Sequence, residues 1–292
     1  MQLKSNKAVC RSRRVFFQLG IRRSGNHAIA NWLGAMLAPS LLCNNNQLWP
    51  TDLIVDGVTL SLSKKVYQEQ AQGFTEFGCI IYGMENANPC SIAHRQDVVR
   101  RSYDRCLEKK ANEAVTVLLL RDPFNSFASI LKHETQGARS YSLYDDGRFA
   151  CLWLTQARAY ATAEDLGYVA VDYNQWVTCV EYRRHLASIL GCEFVDAGID
   201  HVPSFGHGSS FFDGYTMSDD QRQQLNQRWK WLLEDDSRAY ELWANTRNDL
   251  FWLAARRLYP ELALEVEYEL NRLWELNQSW EKRYARGFTD SV

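Results

Sequence analysis

Short apolar runs that stop abruptly at polar residues recur along the first two thirds of the chain. Runs of this length are typical of strands buried on both faces of a parallel sheet. Strands are predicted at residues 15–21, 79–84 and 168–173 and at the start of 114–133. Helical spacing follows over 26–38, 91–111, 149–165 and 177–190 and in the rest of 114–133. Strands that alternate with helices predict an α/β fold, in which helices flank a central parallel sheet.

The remainder of the chain reads as a mixed region, a loop and a helical end. Residues 39–78 follow no clear period and contain turn-forming Asn, Pro and Asp residues. A Gly- and Ser-rich loop is predicted over 203–214. Ser218 is predicted to cap a helix with two aspartates in its first turn, and the chain is predicted to be helical from there to its end.

Length and composition fit one globular domain. The chain has 292 residues, of which 46% are hydrophobic and 23% charged, and it can bury a sizeable core. We predict a single domain over 1–292, with an α/β cofactor-binding core at 15–213 and a helical C-terminal third at 214–292.

Charge and cysteine usage narrow the functional classes. A net charge of −2 favours neither nucleic acid nor an acidic membrane. No segment reads as a signal peptide or a membrane-spanning helix. The eight cysteines form no C-x-x-C pair, which disfavours a zinc site and fits a reducing compartment. We therefore predict a cytoplasmic protein that binds no nucleic acid and no membrane.

The turn after the first strand has the features of an anion site. Arg22 and Arg23 precede Ser24-Gly25-Asn26-His27, and a helix begins there. Helix N-termini bind phosphates because their backbone N–H groups and the helix dipole point at the anion. Arg11, Arg13 and Arg14 are predicted to add positive charge to the same cluster. The alternative is a plain helix cap with solvated arginines.

A second turn offers another positive charge and a hydroxyl. Arg121 follows a strand directly, and Ser129 lies about two helical turns further on, on roughly the same side. Together they could hold one phosphate through a charge-assisted contact and a hydrogen bond. Asp122 and Asn125 could instead serve only to cap the helix.

The two turns together resemble the sulfotransferases that use 3′-phosphoadenosine 5′-phosphosulfate. In that family a basic-Ser-Gly-Thr-Thr loop binds the 5′-phosphosulfate, and an R-x-P-x(5)-S segment binds the 3′-phosphate. The fold is of the P-loop NTPase type, around a central parallel sheet. The resemblance covers residues 15–33 and 115–132 well, and 168–176 and 203–213 weakly.

The resemblance assigns roles residue by residue. It implies that the donor's phosphosulfate is bound by Arg22, Arg23, Ser24, Gly25, Asn26 and His27, and its 3′-phosphate by Arg121 and Ser129. Tyr173 would face the adenosine, and a loop containing Gly206, His207, Gly208, Ser209 and Ser210 would close over the 3′-phosphate, although the usual basic residue is missing there. Ala28 replaces the family's adenine-stacking aromatic residue, so Trp32 or another ring would have to serve. No metal is implied.

The acceptor must lose a proton, which requires a general base. The K-T-H segment that carries the histidine base of the cytosolic animal enzymes is absent. Glu85, at the end of the strand 79–84, is the leading candidate, because some family members use Glu at this place. Arg23 and His27 would stabilise the transferring group. His94 and His133 are rival bases, and Glu85 could instead be a surface carboxylate or the partner of an arginine.

The predicted function is transfer of a sulfuryl group to a hydroxyl or nitrogen of a small molecule, and natural-product tailoring would fit. Four acidic residues would suit a cationic acceptor: Glu76, Glu134, Asp145 and Asp146. Two alternatives stay open, a P-loop kinase or other phosphotransferase and a non-catalytic nucleotide-binding protein. Six tryptophans in the last third are interpreted first as core packing, then as a homodimer surface or an acceptor-pocket wall.

Overall fold

A seven-stranded sheet forms the centre of the part of the chain that the computed structural model describes. The described residues are 14–37, 40–43, 52–55, 58–61, 79–92, 96–97, 113–135, 147–197, 199–200, 211 and 216–276. The strands are β1 (Arg14–Gly20), β2 (Ser40–Cys43), β3 (Asp52–Val55), β4 (Val58–Ser61), β5 (Cys79–Glu85), β6 (Glu113–Leu120) and β7 (Tyr168–Asp172).

The spatial order of the strands is β4-β3-β2-β5-β1-β6-β7. The five strands from β2 to β7 in this order are parallel, which confirms the predicted parallel sheet. β3 and β4 extend the sheet at one edge as antiparallel strands. That edge was not predicted, because its strands are four residues each and lie in the stretch without a clear period.

Helices flank this sheet and make up most of the last third. They are α1 (Asn26–Met36), α2 (Pro123–Thr135), α3 (Arg148–Ala161), α4 (Tyr173–Thr178), α5 (Val180–Ile189), α6 (Asp219–Gln223), α7 (Lys230–Leu233), α8 (Asp236–Thr246), α9 (Asp249–Leu258) and α10 (Pro260–Leu276). Short 3-10 helices occupy Pro89–Ser91 and Gln224–Asn226. Within the described ranges, no helix has the length and apolar character needed to cross a bilayer.

Three predicted boundaries differ from the structure. The predicted helix over 177–190 begins only at Val180, because Cys179 is extended and its Sγ accepts a hydrogen bond from the Tyr182 N–H. The predicted strand over 168–173 ends at Asp172, whose carboxylate caps α4. The predicted helix over 149–165 ends at Ala161. The predicted cap at Ser218 is confirmed, with a reciprocal bond to Gln221. Most of the predicted helix over 91–111 lies outside the described residues.

Apolar clusters pack on both faces of the sheet. Alternate residues of β1 divide between them: Phe16 joins the cluster under α1, while Phe17 joins the cluster on the opposite face. This division follows from the alternation of side chains along a strand. A third cluster joins α2 and α3 to the C-terminal helices. The helical last third is therefore packed onto the α/β core through α2 and α3.

Candidate anion-binding site

Three loops meet where β1, β5 and β6 end. β1 lies between β5 and β6, and all three run parallel, so their carboxyl ends share one edge of the sheet. Gly20 of β1 is paired with Glu85 of β5, which brings that carboxylate beside the loop after β1. In open parallel sheets this edge, at the strand where the order reverses, is where ligands bind.

The loop after β1 is shaped by its own side chains. The Ile21 carbonyl accepts hydrogen bonds from Ser24 Oγ at 2.6 Å and from Asn26 Nδ2 at 2.9 Å. Asn26 Nδ2 also donates to Glu85 Oε1 at 3.1 Å. α1 then begins after Gly25 without a side-chain cap. The loop is therefore held in a fixed shape next to a helix N-terminus, a standard place for phosphate or sulfate.

Gly25 is required by this geometry. Its φ is 103°, and a Cβ at this position would lie 2.1 Å from Cε2 of Tyr173. The backbone is thus left-handed and in direct contact with an aromatic ring. Glycine is the residue that fits both constraints.

We expect Gly25→Ala to lower the free energy of unfolding by about 2–4 kcal/mol, because it adds a ring clash to an unfavourable backbone conformation. Gly147→Ala is the matched control, since Gly147 also has positive φ, 73°, but a Cβ there would have no neighbour within 4 Å. The control should lose only about 1–2 kcal/mol. Urea unfolding measures both. Equal losses would show that the Tyr173 contact is readily relieved.

The predicted arginine cluster around this loop is wrong for Arg14. Arg14 begins β1, six residues before Gly20, which places it roughly 20 Å from the loop along the strand. There its Nε donates to Glu113 Oε2 at 2.8 Å, at the other edge of the sheet. Burial by itself lowers the pKa of Arg14. The hydrogen bond to Glu113 and the contact with Cys192 together raise it by more, so the net shift of the pKa is upward. Arg11 and Arg13 lie outside the described residues.

The turn after β6 is stabilised by a buried polar network. Asp122 caps α2 by accepting a hydrogen bond from Asn125 N at 2.8 Å, so the predicted capping role holds. Asn125 Oδ1 accepts from the backbone N–H of Trp229 at 3.1 Å, and its Nδ2 donates to the Asn226 carbonyl at 3.1 Å. This network docks the segment around residues 226–229 onto the turn.

That docking brings a second arginine, Arg228, to the predicted phosphate pair of Arg121 and Ser129. Arg228 Nη1 donates to Ser129 Oγ at 2.8 Å, and Arg121 Nη1 lies 3.5 Å from the same oxygen. Arg121 is 2% exposed, and its Nη2 donates to the Leu225 carbonyl. Its Nε is buried without a hydrogen-bond partner in the described part of the chain. Two guanidinium groups and one hydroxyl therefore converge within hydrogen-bonding reach.

The electrostatics of this cluster favour a bound anion. Burial first, and then the neighbouring positive charges of Arg121 and Arg23, lower the pKa of Arg228 to about 9, although Tyr173 and Asp122 act in the opposite direction. Burial first, and then repulsion from Arg22 and Arg121, lower the pKa of Arg23 to about 10, although attraction to Glu85 acts in the opposite direction. An anion placed among these groups would relieve both the burial cost and the mutual repulsion.

Tyr173 connects the two loops. Its ring lies against Gly25, and the guanidinium carbon of Arg121 is 4.8 Å from the ring centroid. The ring also stacks on Trp176, with centroids 5.6 Å apart. Tyr173 is therefore a spacer that sets the separation between the β1 and β6 loops. Its predicted contact with adenosine stays a prediction.

The candidate bases differ in how they contact the loop after β1. Glu85 accepts a hydrogen bond from Asn26, and its charge attracts Arg23. His133 is buried near the end of α2, and its Nε2 is 3.1 Å from Arg22 Nη2. His27 is half-buried in the first turn of α1. His94 lies outside the described residues. Glu85 and His133 thus both border the loop, Glu85 through Asn26 and His133 through Arg22.

Several residues that were predicted to contact the donor or the acceptor are either buried in the core or lie outside the described residues. Trp32 is fully buried and packs edge-on against Trp176 at 6.0 Å, so the suggestion that it stacks on adenine is wrong. The predicted closing loop, with Gly206, His207, Gly208, Ser209 and Ser210, lies outside the described residues. So do the acidic residues Glu76, Asp145 and Asp146.

Arg228 is the member of this cluster that sequence reasoning missed. It lies in the segment QLNQRWKW, which has no motif that marks an arginine as a ligand. The missing basic residue in the predicted loop at 206–210 was the signal that another arginine could serve. The sequence matches no protein-family model and no curated protein sequence.

Proposed function

We propose that this protein is a sulfotransferase that uses 3′-phosphoadenosine 5′-phosphosulfate. The proposal is carried by one observation: Arg121, Arg228 and Ser129 converge after β6, while Arg23 and the N-terminus of α1 lie after β1. Two anion sites joined by Tyr173 suit a ligand with phosphates at both ends of one nucleoside. The order of loops along the chain is also that of the family the sequence resembles.

The fit to the donor can be judged from the buried groups. Arg121 Nε is a buried donor without a partner in the described ranges, and such a group is costly unless a ligand accepts its hydrogen bond. Arg121, Arg228 and Ser129 would hold the 3′-phosphate. Arg23 and the backbone N–H groups at Gly25 and after it would hold the phosphosulfate.

The remaining side chains supply the chemistry of the acceptor. When bound, the donor supplies the sulfuryl group. Glu85 would accept the proton from the acceptor's hydroxyl or nitrogen. Arg23 would stabilise negative charge on the leaving phosphate, because its positive charge lies in the β1 loop near Glu85 and Arg121 before reaction. Asn26, which donates to Glu85 and to the Ile21 carbonyl, would orient the base relative to the loop. The acceptor would be a small molecule.

Ligand-induced stabilisation tests the donor assignment. At about one hundred times its dissociation constant, adenosine 3′,5′-bisphosphate should stabilise the protein by about 2.7 kcal/mol, roughly 5 °C in Tm, without added metal. Adenosine 5′-monophosphate at the same concentration should give a much smaller shift, since it has no 3′-phosphate for Arg121 and Arg228.

Two further ligands define the outcome. Adenosine 2′,5′-bisphosphate has the same charge with one phosphate displaced, so it separates a shaped site from simple charge attraction. Magnesium with ATP tests the phosphotransferase alternative. Stabilisation by Mg-ATP equal to that by the 3′,5′-bisphosphate would favour that alternative and overturn the proposal.

A further inference from the structure

The outer faces of α9 and α10 carry apolar side chains that the core does not use. Leu250 and Leu253 on α9 are 65% and 63% exposed, and Leu264 and Tyr268 on α10 are 60% and 66% exposed. These are the four most exposed large apolar residues in the described part of the chain. The opposite faces of both helices are buried in one core cluster with α3. A concentration of this kind marks an interaction surface.

This surface contains a groove and a ridge. α3 and α9 border a groove of about 470 Å³, lined largely by apolar residues such as Leu154, Ala157 and Leu253, with Arg158 and Arg257 among its lining residues. On α10, Leu264 and Tyr268 are one turn apart and form an apolar ridge. Arg256 Nε donates to Glu267 at 3.1 Å, which fixes α9 beside α10. Groove and ridge are therefore neighbours.

The charges on the two features are opposite. Arg158 and Arg257 belong to the groove, whereas Glu261 and Glu265 lie on α10 beside the ridge residues. All four side chains are exposed and form no side-chain hydrogen bond or ion pair with another described residue. An apolar ridge flanked by carboxylates complements an apolar groove flanked by guanidinium groups.

We propose that a second copy of this chain covers this face, in a twofold-symmetric dimer in which the α10 ridge of each subunit occupies the α3–α9 groove of the other. Because groove and ridge are adjacent on one surface, a twofold axis lets both contacts form at once. The dimer is independent of the sulfotransferase proposal and does not require the anion site.

Sedimentation velocity tests the surface directly. Wild type at about 100 μM should sediment as a dimer of the 33.8 kDa chain. Leu253→Asp should weaken the dimer by at least about 100-fold, because it places a charge in the apolar groove. Ile189→Asp is the matched control, since Ile189 on α5 is 53% exposed and lies outside this face. It should leave the dimer unchanged.

Charge reversal tests the identity of the partner. The double variants Arg158→Glu/Arg257→Glu and Glu261→Arg/Glu265→Arg should each be monomeric, since each homodimer would oppose like charges twice. Mixing the two variants should restore a dimer, because each groove then meets a ridge of opposite charge. Anion-exchange separation followed by sedimentation would identify the mixed dimer.

Each contrary result overturns the proposal. A wild type that remains monomeric at about 100 μM leaves no self-association to explain. Equal effects of Leu253→Asp and Ile189→Asp would place the contact elsewhere. Failure of the mixed variants to associate, with both variants folded by circular dichroism, would exclude the ridge-in-groove arrangement.

Discussion

Replacing Arg228 with methionine should weaken binding of adenosine 3′,5′-bisphosphate by about 10- to 150-fold, the loss of one charged hydrogen-bonding contact. The unliganded variant should be at least as stable as wild type. Arg228 is buried near Arg121 and Arg23, and its lowered pKa reflects the cost of that charge. The guanidinium carbon of Arg228 lies 4.9 Å from the centroid of the Phe211 ring, and methionine offers that ring an unbranched apolar side chain with a polarizable sulfur in its place. Isothermal calorimetry and urea unfolding measure the two effects.

Arg183 is the matched control for this substitution. It is also buried, and it lies away from the anion site, with Nε donating to Asp196 Oδ1 at 2.6 Å and Nη1 donating to the Trp176 carbonyl at 2.6 Å. Arg183→Met should therefore lower the free energy of unfolding by about 2–3 kcal/mol and leave bisphosphate affinity unchanged. If Arg228→Met behaves like this control, Arg228 is a structural residue.

The same experiment separates the two anion sites. The penalty for Arg228→Met should shrink when the ligand is adenosine 5′-monophosphate, because the phosphate that Arg228 contacts is then absent. Arg23→Ala should keep its penalty with that ligand, since it serves the other end of the nucleotide. Equal responses of the two variants would mean that the assignment of phosphates to loops is wrong.

The parts of the site that sequence predicts are those built by local chain geometry. Arg121 and Ser129 lie on one strand–turn–helix unit, so their spacing already places them together. Glu85 and the β1 loop depend only on two neighbouring parallel strands ending in register. Such relations follow from periodicity and from the rule that parallel strands end at one edge.

Arg228 required information that no local pattern contains. It is 99 residues from Ser129, and its position depends on Asn125 binding the backbone of Trp229 and Asn226. The prediction that Arg14 joins the arginine cluster at the β1 loop was wrong for the converse reason. It is close to Arg22 in sequence, but a seven-residue strand separates them in space, and Glu113 binds it at the far edge. Closeness in sequence wrongly suggested that Arg14 lies near Arg22, and distance in sequence gave no indication that Arg228 contacts Ser129.

Trp32 shows the same limit for an aromatic residue. It was assigned to the nucleotide by its position relative to a motif, yet packing decides which surface of a ring is available. Trp32 is buried in the cluster beneath α1. Tyr173 contacts Gly25, Arg121 and Trp176, and its contact with adenosine stays a prediction. Tertiary packing, which helical or strand periodicity does not specify, determines where Trp32 lies.

Glu85→Gln is expected to reduce turnover by at least about 100-fold, because a lost general base commonly costs 10²–10⁴ in rate. Glutamine keeps the size of the side chain and an oxygen that can accept from Asn26 Nδ2, so the β1 loop should keep its shape. Affinity for adenosine 3′,5′-bisphosphate should stay near that of wild type. The assay measures transfer from radiolabelled donor, after a panel of hydroxyl and amine compounds has identified an acceptor.

Glu181→Gln controls for the change from carboxylate to amide, since Glu181 is exposed on α5 and pairs with Arg184. It should leave both turnover and affinity unchanged. His133→Gln tests the rival base, and because His133 contacts Arg22, its effect should appear in donor affinity rather than only in turnover. Near-normal turnover in Glu85→Gln, with a large loss in His133→Gln at saturating donor, would assign the base to His133. Loss of bisphosphate binding in Glu85→Gln would instead show that the negative charge of Glu85 is needed to hold Asn26 and the β1 loop in place. Glu85 would then be a structural residue of the anion site.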